Sequence, residues 1–175
     1  MSIGLTVRSW HDSRMADYKR STMATTLEAL PEPLRTALRE RAEAAQLTVG
    51  GDAPAYLTHS IRLRKPGLFR RLTGTADKDT EHLTALVLGA KDVLVATHGE
   101  QRGTAVLVAR LDDVEVGSSA DRLAAARDDV GVSITGFPVA VEGAAGRGSF
   151  FFGLGVPDGD RARAALEAAV REAKA

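Results

Sequence analysis

Apolar positions along this chain follow two different periods. Between residues 32 and 46, Leu34, Leu38, Ala42 and Ala45 recur at helical spacing, while Arg35, Arg39, Glu40, Arg41 and Glu43 take the rest of the wheel. Thr25 or Thr26 can cap a helix, and Glu28 places an acid near its start. Pro31 and Pro33 are tolerated only near a helix beginning, so the pattern predicts one amphipathic helix over 32–46, stopped by Gly50-Gly51-Asp52.

After that stop the period changes to two. From Tyr56 to Arg64, Leu57, His59, Ile61 and Leu63 fall on one side of a strand, and Tyr56, Thr58, Ser60, Arg62 and Arg64 on the other. Thr84–Leu88, Val93–Thr97 and Thr104–Arg110 read as three more strands, separated by turn signals at 89–92 and 98–100. Val114–Val116 is a short fifth strand. Val132–Val141 is a sixth, bent at Gly136 and Pro138, and Ser149–Leu154 is a seventh. The stretch 119–129 allows either one or two helical turns or a long loop. Past Gly155, Pro157 and Gly159, the residues Ala162, Ala165, Leu166, Ala169, Val170 and Ala173 mark the apolar face of a terminal helix. Residues 1–24 show little periodicity and read as an extension.

Composition narrows the function classes. Hydrophobic residues make up 44% of the 175, enough for a core, but aromatics only 5%, so that core is built from Leu, Val and Ala. The 23 basic and 23 acidic residues cancel, which argues against a nucleic-acid partner and requires any charged partner to be met by a local patch. The absence of cysteine excludes disulfides, thiol nucleophiles and thiolate metal sites. No apolar run is long enough to span a bilayer and no basic-then-apolar leader opens the chain, so a cytoplasmic protein is expected.

Three stretches carry a resemblance. ALVLGAKDVLVATHG (residues 85–99) looks like the hairpin of bacterial pleckstrin-homology-like (PH-like) and GRAM-like domains. GTAVLVARLDDVEVG (103–117) is similar to their fourth and short fifth strands, and GSFFFGLGVPDGDRARAALEAAVREA (148–173) resembles their last strand and closing helix. The resemblance covers about residues 56–173. It implies an α+β fold: a seven-stranded antiparallel PH-like barrel capped by a C-terminal helix, with the 32–46 helix as an extra N-terminal element. The expected divisions are an extension (1–24), a helix and linker (25–52) and the PH-like domain (53–175). Such domains are mostly binding modules, so the resemblance implies a non-catalytic protein without cofactor or metal.

Two ligand sites are expected on that frame. In lipid-binding relatives the connection between the first two strands carries a basic cluster, and here it holds Arg62, Arg64, Lys65, Arg70, Arg71 and Lys78. Arginine forks suit phosphate oxygens, and Leu68 and Phe69 at the loop tip are placed to enter a membrane interface. Asp77, Asp79 and Glu81 follow closely and offset part of that charge. The competing reading is a solvated loop with Phe69 folded back. The second site is the groove between the fifth strand, near Val114–Val116, and the terminal helix, where relatives of the phosphotyrosine-binding type accept a peptide as an added strand. That edge is free unless the N-terminal segment or the 32–46 helix covers it, or a second copy pairs with it. A protein partner or self-association is the leading expectation, and a peripheral anionic membrane surface is the alternative.

The remaining polar features read as structural. His11, His59, His82 and His98 lack metal-ligand spacing. Asp112-Asp113 and Asp128-Asp129 sit in turns, and adjacent strand residues point to opposite faces. The GxxGxG-like run 143–148 leads into a strand, not into the helix N-terminus that a phosphate loop needs, and so reads as a hairpin.

Overall fold

The computed structural model describes residues 18–63, 79–118, 130–141 and 144–175. In chain order these form β1 (Tyr18–Thr26), α1 (Glu32–Ala44), β2 (Pro54–Arg62), β3 (Glu81–Leu88), β4 (Asp92–Gly99), β5 (Gly103–Arg110), β6 (Glu115–Ser118), β7 (Gly131–Val141), β8 (Ala144–Gly153), β9 (Val156–Pro157) and α2 (Gly159–Lys174). Six strands build one sheet in the order β5-β4-β3-β2-β1-β9, and three build a second in the order β6-β7-β8. All neighbours are antiparallel except β1 and β9, which run parallel.

The apolar runs Ala85–Leu88 and Val93–Ala96 are uninterrupted because both faces of the larger sheet are covered. On the inner face Leu86, Leu88, Val93 and Val95 meet Val132, Ile134 and Phe152 of the smaller sheet and Ala162, Leu166 and Val170 of α2. On the outer face Ala85, Val87, Leu94 and Ala96 meet Leu34, Leu38 and Ala42 of α1, together with Leu27 and Leu30. Each such Leu or Val contributes roughly 1.5–3 kcal/mol on full burial. The terminal helix therefore packs where both sheets converge, and α1 backs the opposite face.

The expected seven-stranded antiparallel PH-like barrel is not what forms. The chain is α+β, but it makes a mixed six-stranded sheet and a separate three-stranded one, with no closed barrel. The cause lies in β1. This strand falls mostly within the segment that showed no periodicity, and it pairs with β2 along its whole length, from Tyr18↔Arg62 to Thr26↔Pro54. It then accepts β9 on its other side, with Ser21↔Val156 and Thr22↔Pro157. The edge of β2 on which the expected barrel depended is thus occupied by the N-terminal strand.

The presence of β1 also decides which side of β2 is buried. Tyr56, Thr58 and Ser60 are buried, whereas Ile61 and Leu63 are exposed. Thr22, Thr58 and Thr84 lie directly across from one another on β1, β2 and β3, and all three are buried. In β7 the ladder shifts register between Thr135 and Phe137, at Gly136 with φ +123°, as its sequence anticipated. Among the described residues no helix is long and apolar enough to cross a membrane.

Candidate functional site

Of the basic cluster, the structure describes Arg62 alone. It ends β2, is half-buried, pairs across the ladder with Tyr18, and its N–H donates to the Thr80 carbonyl at 2.8 Å. Arg64, Lys65, Arg70, Arg71 and Lys78, and the tip residues Leu68 and Phe69, lie outside the described residues.

Of the acids expected to offset that cluster, Asp77 lies outside the described residues, and Asp79 and Glu81 are engaged elsewhere. Asp79 is 2% exposed, and its carboxylate accepts hydrogen bonds from the backbone N–H of Gln101 (2.7 Å), the N–H of Arg102 (3.2 Å) and Arg102 Nε (2.9 Å). Chiefly the Gln101 N–H, with the Arg102 contacts adding to it against the opposing pull of burial, holds this carboxyl below the ordinary carboxylate range. Asp79 thereby fastens the β4–β5 turn to the start of β3. The one signal in the sequence is an acid just ahead of a strand start. Glu81 is engaged by the His59 imidazole.

The other polar residues take local roles. His98 Nδ1 lies 2.7 Å from the Thr104 hydroxyl, and the His82 ring meets Tyr18 edge-on with centroids 5.7 Å apart. Among the described residues no three metal-binding side chains converge; His11 is not among them. Arg110 grips Asp112 through two bonds, Nε to Oδ1 at 2.9 Å and Nη2 to Oδ2 at 2.7 Å. This pairing lowers the Asp112 pKa and raises that of Arg110. Asp113 meets Arg147 at 3.5 Å, so the two adjacent acids serve separate partners. Asp128 and Asp129 lie outside the described residues. Residues 144–148 of the glycine run are not the loop expected but part of β8, paired antiparallel with 137–141 of β7, and Gly143 lies outside the described residues.

Among the described residues the two sheets end on β5 and β9 and on β6 and β8, and two of these edges adjoin grooves or the terminal helix. β6 pairs with β7 alone, from Glu115↔Thr135 to Ser118↔Val132. Of the anticipated obstructions, α1 packs on the outer face of the other sheet, and the described part of the N-terminal segment, β1, lies between β2 and β9; residues 1–17 lie outside the described residues. A groove of about 580 Å³ opens between α2 (Ala169, Glu172, Ala173), the β3–β4 turn (Gly89, Ala90, Lys91) and the segment after β5 (Arg110, Leu111, Asp112). It borders the terminal helix as the expected peptide groove would, but Val114–Val116 do not line it, and its charged walls are Lys91, Arg110, Asp112 and Glu172.

The other edge is β5, which pairs with β4 from Gly99↔Gly103 to Asp92↔Arg110 and has no hydrogen-bonded strand on its far side among the described residues. A groove of about 530 Å³ runs beside its C-terminal half, where Val108, Ala109 and Arg110 face Ala45 and Leu47 after α1 and Pro138 and Gly146 of the β7–β8 hairpin.

No family model, no curated protein and no solved structure matches this chain.

Proposed function

We propose that this chain is a non-catalytic binding module that takes an extended segment of a partner protein as an added strand on β6, beside α2. One observation carries the reading. Among the described residues β6 pairs with β7 alone and lies beside α2, while α1 and β1 are committed to the larger sheet. Backbone groups of an edge strand supply affinity to any extended chain, and neighbouring pockets select its side chains. The mixed charge of the groove, Lys91 and Arg110 against Asp112 and Glu172, suits a peptide with polar side chains of both signs.

The test is selection of binders from a random-peptide library on the full chain. Hydrogen exchange then maps where the selected peptides sit. Slower exchange at residues 115–118, and loss of binding in a folded Glu115→Pro variant that cannot offer the same edge, are expected. Failure to select any peptide, or equal binding by the variant, overturns the reading. Anionic vesicles are the competing ligand. Sedimentation with them that disappears on Arg70→Glu with Arg71→Glu, and is untouched by Glu115→Pro, would move the function to the basic segment.

A further inference from the structure

We infer that two copies of this chain associate through their β5 strands, paired antiparallel about a two-fold axis at Leu107, which joins their six-stranded sheets into one. This goes beyond peptide capture at β6 and uses a different edge.

The argument begins with how the other edges are protected. β9 is two residues long and contains Pro157. β6 has four residues and carries Glu115 and Gly117. β8 holds Gly146, Arg147, Gly148 and Gly153. Short length, proline, charge and glycine are the usual means of keeping an edge from pairing. β5 has none of them across Thr104–Ala109: six residues, TAVLVA, without charge, proline or glycine. Along that run no outward backbone group has a backbone partner among the described residues. An edge of this length and composition is a template for another strand. The same sequence on a second copy is the simplest complement, because an isologous contact places one surface against itself.

Charge selects the register. The axis must pass through a residue, because residues directly opposite share a face of the sheet. Centred on Val106 it sets Arg102 opposite Arg110 of the second copy, like charges that destabilise a strand pair. Centred on Leu107 it avoids that contact, and Arg102, which already holds Asp79, lies across from Asp112 of the second copy, which already holds Arg110. Val106 then meets Val108 of the second copy, Ala105 meets Ala109, and Thr104 meets Arg110.

Shape agrees with this choice. The groove beside Val108, Ala109 and Arg110 is lined on its other side by Pro138 and Gly146. In this register the residues that enter it from the second copy are Thr104, Ala105 and Val106, two of them small. Val106, Leu107 and Val108 are each half-buried in one copy, and the second copy covers the remainder.

The chain has no cysteine, which permits a direct test. Leu107→Cys places one thiol on the two-fold, and Val130→Cys, an exposed position away from β5, serves as the control. Under mild oxidation the Leu107→Cys protein is expected to become a covalent dimer much faster than the control. Light scattering is expected to give twice the chain mass for the unmodified protein, and Val106→Lys is expected to weaken association about tenfold or more while leaving the circular dichroism unchanged. A protein that stays monomeric at high micromolar concentration overturns the proposal. So does a Leu107→Cys cross-linking rate equal to that of the control, or a dimer that a folded Val106→Lys variant retains. Peptide capture at β6 is measured on the same Val106→Lys variant, so loss of the dimer with retained capture separates the two ideas.

Discussion

The hydroxyl of Thr22 on β1 lies 2.8 Å from the hydroxyl of Thr58 on β2, and both are buried between the two sheets. Thr22 Oγ1 also accepts the Gly155 N–H at 2.9 Å, and the Thr22 carbonyl accepts the Asp158 N–H at 3.0 Å. One residue of the N-terminal strand thus ties together β2 and the segment that leads into α2.

Replacing Thr22 with valine keeps the shape and removes these side-chain partners. The Thr58 hydroxyl loses its bond and the Gly155 N–H loses its acceptor, a loss of about 1–3 kcal/mol by the usual penalty for unsatisfied buried groups. Urea unfolding measures it. Thr22→Val combined with Thr58→Val is expected to cost less than the sum of the two single changes, because the second substitution removes a hydroxyl that the first has orphaned.

Asp158 sits just ahead of α2, yet its carboxylate accepts the Ala24 N–H at 2.8 Å from β1 instead of capping its own helix. Asp158→Ala should therefore free β1 before it harms α2. Hydrogen exchange at residues 21–26 is expected to rise well above that of residues 162–170, with a loss of about 1–2 kcal/mol in global stability.

Acid should act through Asp79. Its pKa is lowered in the folded state relative to the unfolded chain. The stability it contributes is present above the unfolded carboxylate value, about 3.9, and disappears as pH falls through the lower folded value. Thermal melts taken from neutral pH downward are expected to show a drop in Tm in the acid range. Asp79→Asn is expected to be less stable at neutral pH and to lose part of that slope. The Arg110–Asp112 pair is exposed, and its removal is expected to change little.

Gly136 occupies φ +123°, and a Cβ there would stand 2.6 Å from the Asp113 carbonyl oxygen. Gly136→Ala therefore meets both an unfavourable backbone region and a backbone atom that cannot swing aside. A cost of about 1–3 kcal/mol is expected from the strained dihedral alone. Chemical denaturation measures it, with Gly148→Ala as the informative neighbour: there the obstructing atom is the Val139 side chain, which can move.

The sequence by itself determined the local elements: α1 and α2 through Leu34, Leu38, Leu166 and Val170 at helical spacing, and the strands β2 to β7 and the end of β8 through alternating or continuous apolar runs between turns. These signals are local, because a strand or helix with a covered face must repeat its apolar residues at its own period. Tertiary structure alone decided that Tyr18–Thr26 is a strand. Its sequence, YKRSTMATT, buries only Thr22 and so carries no apolar alternation to read. It also decided that Thr58 and Ser60, not Ile61 and Leu63, face inward, since hydroxyls become acceptable inside when a strand distant in sequence brings partners such as Thr22. Among the described residues the same long-range pairing left β5 and β6 at sheet edges, because an edge is defined by which strand fails to arrive, and no local pattern records that.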